Sequence, residues 1–120
     1  MYLCTEFKSY AGMMNIFLTE EAEEFVSKQP KKVSEKIYKN IKLVEGGVRK
    51  PELFKKLNDT IWELRTKYES NEYRLLSFWD TRKNTLIIAT HGFQKKTQKT
   101  PLKEIAKAEK IREEYFNTHK

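Results

Sequence analysis

The chain has 120 residues, of which 38% are hydrophobic, 12% aromatic and 34% charged, and its formal net charge is +7. That length fits one domain with a modest core of its own, and the aromatic content excludes a disordered polymer. The single cysteine, Cys4, excludes an internal disulfide and a cysteine metal cluster, and no apolar run reaches the roughly 18 residues of a membrane helix.

A single domain over residues 1–120 in a reducing cytoplasm, away from membranes, is therefore expected. The opening stretch MYLCTEFKSYAGMM has no basic start followed by an apolar run, so it does not resemble a signal peptide. Residues 1–12 are either an extension or a first strand. MNIFL then reads as a short strand, and Thr19 as the cap of a helix whose first turn carries Glu20 and Glu21, where the helix dipole favours acids. Pro30 interrupts. From Lys31 a second helix places Val33, Ile37, Ile41 and Val44 on one apolar stripe, and Gly46-Gly47 ends it.

From residue 60 the period changes to two. TIWELRTKY, EYRLLSFW and TLIIATHGF are rich in aromatic and β-branched residues and are separated by short turn-like segments, which predicts an antiparallel meander. The last element is a helix, PLKEIAKAEKIREEYF, with Thr100 as cap, Pro101 at the first helical position, and Leu102, Ile105, Ala108, Ile111 and Tyr115 facing inward. The expected class is α+β, with an N-terminal helical hairpin and a C-terminal helix on one side of the sheet.

The positive charge is local. Between Asp80 and Glu104 there is no carboxylate, while Arg82, Lys83, Lys95, Lys96, Lys99 and Lys103 fall in the gap, leaving the other 97 residues at +1. Such a block suits either a solvated loop or a polyanion site. If Tyr68 opposes Tyr73 and Trp79 opposes Leu86, then Arg74 lies opposite Lys67 on one side and His91 on the other. Alternation adds Glu63 and Arg65 to that face, and gives the other face Trp62, Leu64, Tyr68, Tyr73, Leu75, Trp79, Leu86 and Ile88 as a core. One face thus gathers cations near a glutamate and a histidine, with Lys95 and Lys96 arriving from the loop beyond. Glu63 with Arg65 or Arg74 also reads as ordinary cross-strand ion pairs.

The strings LFKKLNDTIWELRTKYESNEYRLLSFW and THGFQKKTQKTPLKEIAKAEKIREEYF resemble the RelE/ParE superfamily of toxins, in particular its HigB-like, phage-derived branch, over roughly residues 14 to 117. The resemblance implies a RelE-like fold and a toxin of a type II toxin–antitoxin system that cuts mRNA on the ribosome. Its implied partner is an antitoxin, often a helix-turn-helix DNA-binding protein. It matches Arg74 to the arginine of the family's Y-R pair, and Lys95 and Lys96 to basic residues after the last core strand. A lysine stands near the position of Glu63 in RelE itself.

RNA is cut without metal or cofactor when its own 2′-OH attacks the adjacent phosphate, which needs a base, fixed positive charge for the phosphorane and an acid. Arginine suits the middle role because its fork matches two phosphate oxygens, so Arg74 is the first choice and Arg65 the second. Glu63 or His91 is a candidate base, and Lys96 joins the catalytic set. Lys56, Lys67, Lys95 and Lys99 are candidate phosphate contacts, and Phe93 is a stacking candidate or a core residue. Two rivals share the fold: a ParE-like toxin that inhibits gyrase, and an inactive antitoxin-binding or co-repressor module.

Overall fold

The structure, a computed structural model, describes residues 15–82, 85–95 and 99–118. Strand β1 (Asn15–Leu18) leads into helix α1 (Glu20–Ser27), where the Ala22 amide donates to Thr19 Oγ1 at 3.2 Å as the cap reading requires. Helix α2 (Lys31–Glu45) starts directly after Pro30 and buries Val33, Ile37, Ile41 and Val44. It stops at Gly46, and Gly47 takes φ 110°, a conformation that strains any residue with a Cβ. Strands β2 (Phe54–Lys56), β3 (Trp62–Tyr68), β4 (Asn71–Asp80) and β5 (Thr85–Lys95) follow, and helix α3 (Leu102–Thr118) closes the chain. Strand β2 has no counterpart in the sequence pattern, since three residues are too few to show a period.

The sheet order is β1-β5-β4-β3-β2, with β2 to β5 antiparallel and β1 parallel to β5 at the edge. This α+β architecture is consistent with a RelE-like fold. Trp79 pairs with Leu86 as expected, but two registers differ. The β3–β4 turn is tighter, with Tyr68 opposite Asn71, so Arg74 faces Arg65 rather than Lys67. Between Leu76 and Ser77 the β4–β5 ladder shifts by two residues, so Arg74 faces Phe93 and His91 faces Leu76. Both departures are even, so each residue keeps its face. Glu63, Arg65, Arg74 and His91 still share one side.

Helices cover both faces of the sheet, which corrects the one-sided expectation. On one face α1 and α2 bury Ala22, Val26, Ile37 and Val44 against Phe54, Leu64, Tyr73 and Leu75, with Trp62, Tyr68 and Trp79 packed around them. The side chains of Leu86 and Ile88, expected there too, lie outside the described residues. On the other face α3 closes a smaller cluster of Ile61, Leu76, Phe78 and Ala108, flanked by Phe93, Ile105, Tyr115 and Phe116. Leu102, expected inward, is 77% exposed, because the first turn of α3 presents Glu104 and Ile105 to the sheet instead. Gly92 is where α1 crosses β5: a Cβ there would stand 2.3 Å from the Phe25 ring and 2.8 Å from Leu75 Cδ2.

Candidate active site and basic cleft

The site is built on the β3–β4 pair beneath the start of α3. Arg65 and Arg74 sit directly opposite each other, an arrangement that repels unless a carboxylate intervenes. Glu63 supplies it. Fully buried, it accepts from Arg65 Nε at 2.9 Å on Oε1 and from Thr100 Oγ1 at 2.6 Å on Oε2, and its Oε1 also lies 3.3 Å from Arg74 Nε. Arg74 Nη2 donates to Glu72 Oε1, so two arginines and two glutamates alternate across the strands. Arg65 Nη1 also donates to the Pro51 carbonyl at 3.1 Å, fixing the guanidinium plane. The Arg74 Nε contact lies off the hydrogen-bonding direction, leaving that N–H a buried donor with no acceptor among the described residues. Such a group costs about 1–3 kcal/mol, a cost native proteins tend to retain where function needs it.

The sequence makes Thr100 a helix cap. Among the described residues its hydroxyl instead bonds Glu63, tying the start of α3 to the sheet. Just outside this network is a cleft of about 320 Å³ between β2, β3 and α3. Its polar wall comes from Lys55, Lys56, Arg65, Lys99 and Thr100, and its apolar wall includes Leu102 and Ile105. Four of those five polar side chains are cationic, and a cleft walled by one sign of charge concentrates anions.

The expected site residues separate into two tiers. Arg65, Lys56 and Lys99 line the cleft, while Arg74 and Glu63 lie beneath it. His91 is not on the cleft wall. It is 3% exposed, and its Nε2 meets Glu104 Oε1 of α3 at 2.6 Å. Burial pushes its pKa below the ordinary value and outweighs the Glu104 hydrogen bond that pulls the other way. The neutral imidazole donating to Glu104 is thus the favoured form. Phe93 packs in the apolar cluster under α3, which is the core alternative rather than stacking on a base. Lys67 is exposed and pairs in register with Glu72, as does Lys95 from the other side. The side chain of Lys95 and all of Lys96 lie outside the described residues. Sequence reasoning missed Lys55, Thr100 and Glu104, and only Lys55, beside Lys56, carried any visible signal.

At the far end of α3 a second buried carboxylate repeats the theme. Asp80 takes two hydrogen bonds from the Arg82 guanidinium and one from Tyr115 Oη at 2.8 Å. Chiefly through the Arg82 bonds its pKa is lowered to about 2. Among the described residues no three His, Cys, Asp or Glu side chains converge as a metal site, and no helix is long and apolar enough to cross a membrane.

A family described as "Phage derived protein Gp49-like (DUF891)" matches residues 24–113. The match spans most of the chain, from within α1 to within α3, so the chain belongs to this family. No curated protein matches it.

Proposed function

We propose that this member of the Gp49-like phage-derived family is the toxin of a type II toxin–antitoxin pair, of RelE/HigB type, and that it cleaves mRNA on the ribosome. The family match is consistent with a toxin and with an antitoxin partner. The observation that carries the nuclease reading is Arg65, held by Glu63 and by the Pro51 carbonyl on the wall of a lysine-lined cleft. A guanidinium fixed in advance stabilises developing phosphorane charge without reorganising. Arg65 therefore contacts the scissile phosphate in this reading. Arg74 and Glu63 set its position from below, which reverses the order of choice that the sequence suggested. Lys55, Lys56 and Lys99 hold the flanking phosphates. Glu63 has both oxygens committed and His91 is turned to Glu104, so in this reading both position other groups.

The cognate antitoxin, a helix-turn-helix protein in this reading, blocks activity by covering the cleft. Single-turnover cleavage of messages on ribosomes, at saturating toxin, tests the assignment. Arg65→Ala is expected to lower the rate about a hundredfold, the scale of losing one preorganised donor. Arg65→Lys should recover only part of it, since a point charge lacks the fork. Lys99→Ala should mainly weaken binding. Wild-type cleavage by folded Arg65→Ala would sink the site assignment, and gyrase inhibition without any RNA cleavage would sink the nuclease reading.

A further inference from the structure

The near-neutral charge outside residues 81–103 conceals a strong local asymmetry. Helix α1 carries Glu20, Glu21, Glu23 and Glu24, whereas α2 carries Lys31, Lys32, Lys36, Lys39 and Lys42 against Glu35 and Glu45. The two helices cancel in a sum but not in space. Glu24 pairs with Lys28 at 3.6 Å, and Glu21 reaches across to Lys107 of α3 at 2.9 Å. Among the described residues none of the five α2 lysines forms an ion pair. All five are exposed.

At 3.6 residues per turn, Lys32, Lys36 and Lys39 fall within a roughly 60° arc and extend over about 10 Å of the helix. Lys31 and Lys42 lie on the adjoining stripe. The buried side of α2, through Ile37, Ile41 and Val44, packs on the sheet face opposite α3. The lysine row therefore looks away from the cleft, and the RNA strand in the cleft does not account for it.

We propose that the outer face of α2 is a second polyanion site, which docks on the phosphate backbone of double-helical RNA. Three observations favour that occupant over others. The contact groups are unpaired lysines in a straight row, point charges suited to a phosphate backbone. A single strand would need a series of stacking aromatics, and this face offers only Tyr38 to one side. A stable protein interface would need a contiguous apolar centre, whereas Tyr38 and Leu43, at 40% and 39% exposure, are the large exposed hydrophobics of this helix. RNA duplexes are recognised by shape and phosphate contacts, which such a row provides without sequence preference.

The inference rests on the RNA-directed reading for its biological setting, yet its test reads binding and not cleavage. The probe is a fluorescently labelled RNA hairpin, titrated with the full chain over a series of salt concentrations. The triple variant Lys32→Glu, Lys36→Glu, Lys39→Glu should bind at least tenfold more weakly, with a shallower salt dependence, by about 0.7–0.9 per lysine lost. The matching triple change to arginine should keep wild-type binding, and equal melting temperatures would show that all three proteins are folded. Hairpin affinity within twofold of wild type for the glutamate variant overturns the proposal. So does intact hairpin binding with loss of antitoxin association, which would make the face a protein contact. Failure of Arg65→Ala to impair cleavage would leave these binding results standing.

Discussion

The two faces of the sheet are buried by different means. Under α1 and α2 the contacts are apolar: Val33, Ile37, Ile41 and Val44 meet Phe54, Leu64 and Leu75, and the buried Asn40 amide bonds Thr66 Oγ1 at 3.2 Å. Under α3 the apolar cluster is small, and polar links from Thr100, just before the helix, and from Glu104 and Tyr115 within it tie it to buried groups of the sheet. Thr100 bonds Glu63, Glu104 bonds His91, and Tyr115 bonds Asp80. An apolar face responds to volume and is indifferent to charge, whereas a face pinned by carboxylates responds to protonation and to loss of a partner. The face that holds the candidate chemistry is the one built from groups that cost most to leave unpaired.

The largest expected effect comes from the buried carboxylate. Glu63→Ala removes the buried carboxylate between Arg65 and Arg74, leaving Arg74, among the described residues, only the half-exposed Glu72 and Thr100 no acceptor, and should cost about 3–5 kcal/mol in urea denaturation. A loss below about 1 kcal/mol would mean that water reaches the arginines and that the two faces differ less than their contacts suggest. On the opposite face the sensitive quantity is space. Gly92→Ala pushes a methyl group into Phe25 and should cost about 1–3 kcal/mol, with no change in the pH dependence of stability.

Acidification should act on the α3 face alone. His91 is held below its ordinary 6.5, so its contribution is complete above that pH and is lost as the pH falls below it. The charged groups around it are Glu104 and Lys107 of α3 and Glu21 of α1. Asp80, lowered from 3.8 to about 2, contributes fully above pH 3.8 and loses that contribution as the pH falls through 2. Thermal unfolding should thus show two successive losses on the acid side, and Asp80→Asn should flatten the lower one. A stability profile unchanged from pH 7 to pH 3 would contradict both.

The smallest effect lies in the turn that set the register. Glu69 takes φ 56° in the two-residue connection between Tyr68 and Asn71. Glu69→Asn suits that conformation better and should raise stability by about 0.5 kcal/mol, measurable as a shift in the denaturation midpoint.

The sequence by itself determined the helices, the meander and, among the described side chains, which residues share a sheet face. Periods of 3.6 and 2 are properties of the backbone, and a register error of two residues preserves side-chain parity, so Arg65, Arg74 and Glu63 remained together although their exact partners changed. Thr19 and Gly46 were legible because caps act within a few residues of chain. Only the tertiary structure decided that α3 covers the charged face, that Thr100 serves Glu63 across 37 residues of sequence, and that Arg65 rather than Arg74 reaches the cleft. Burial depends on which elements arrive from far along the chain. A strand's own pattern says which residues point together, but not what will stand over them.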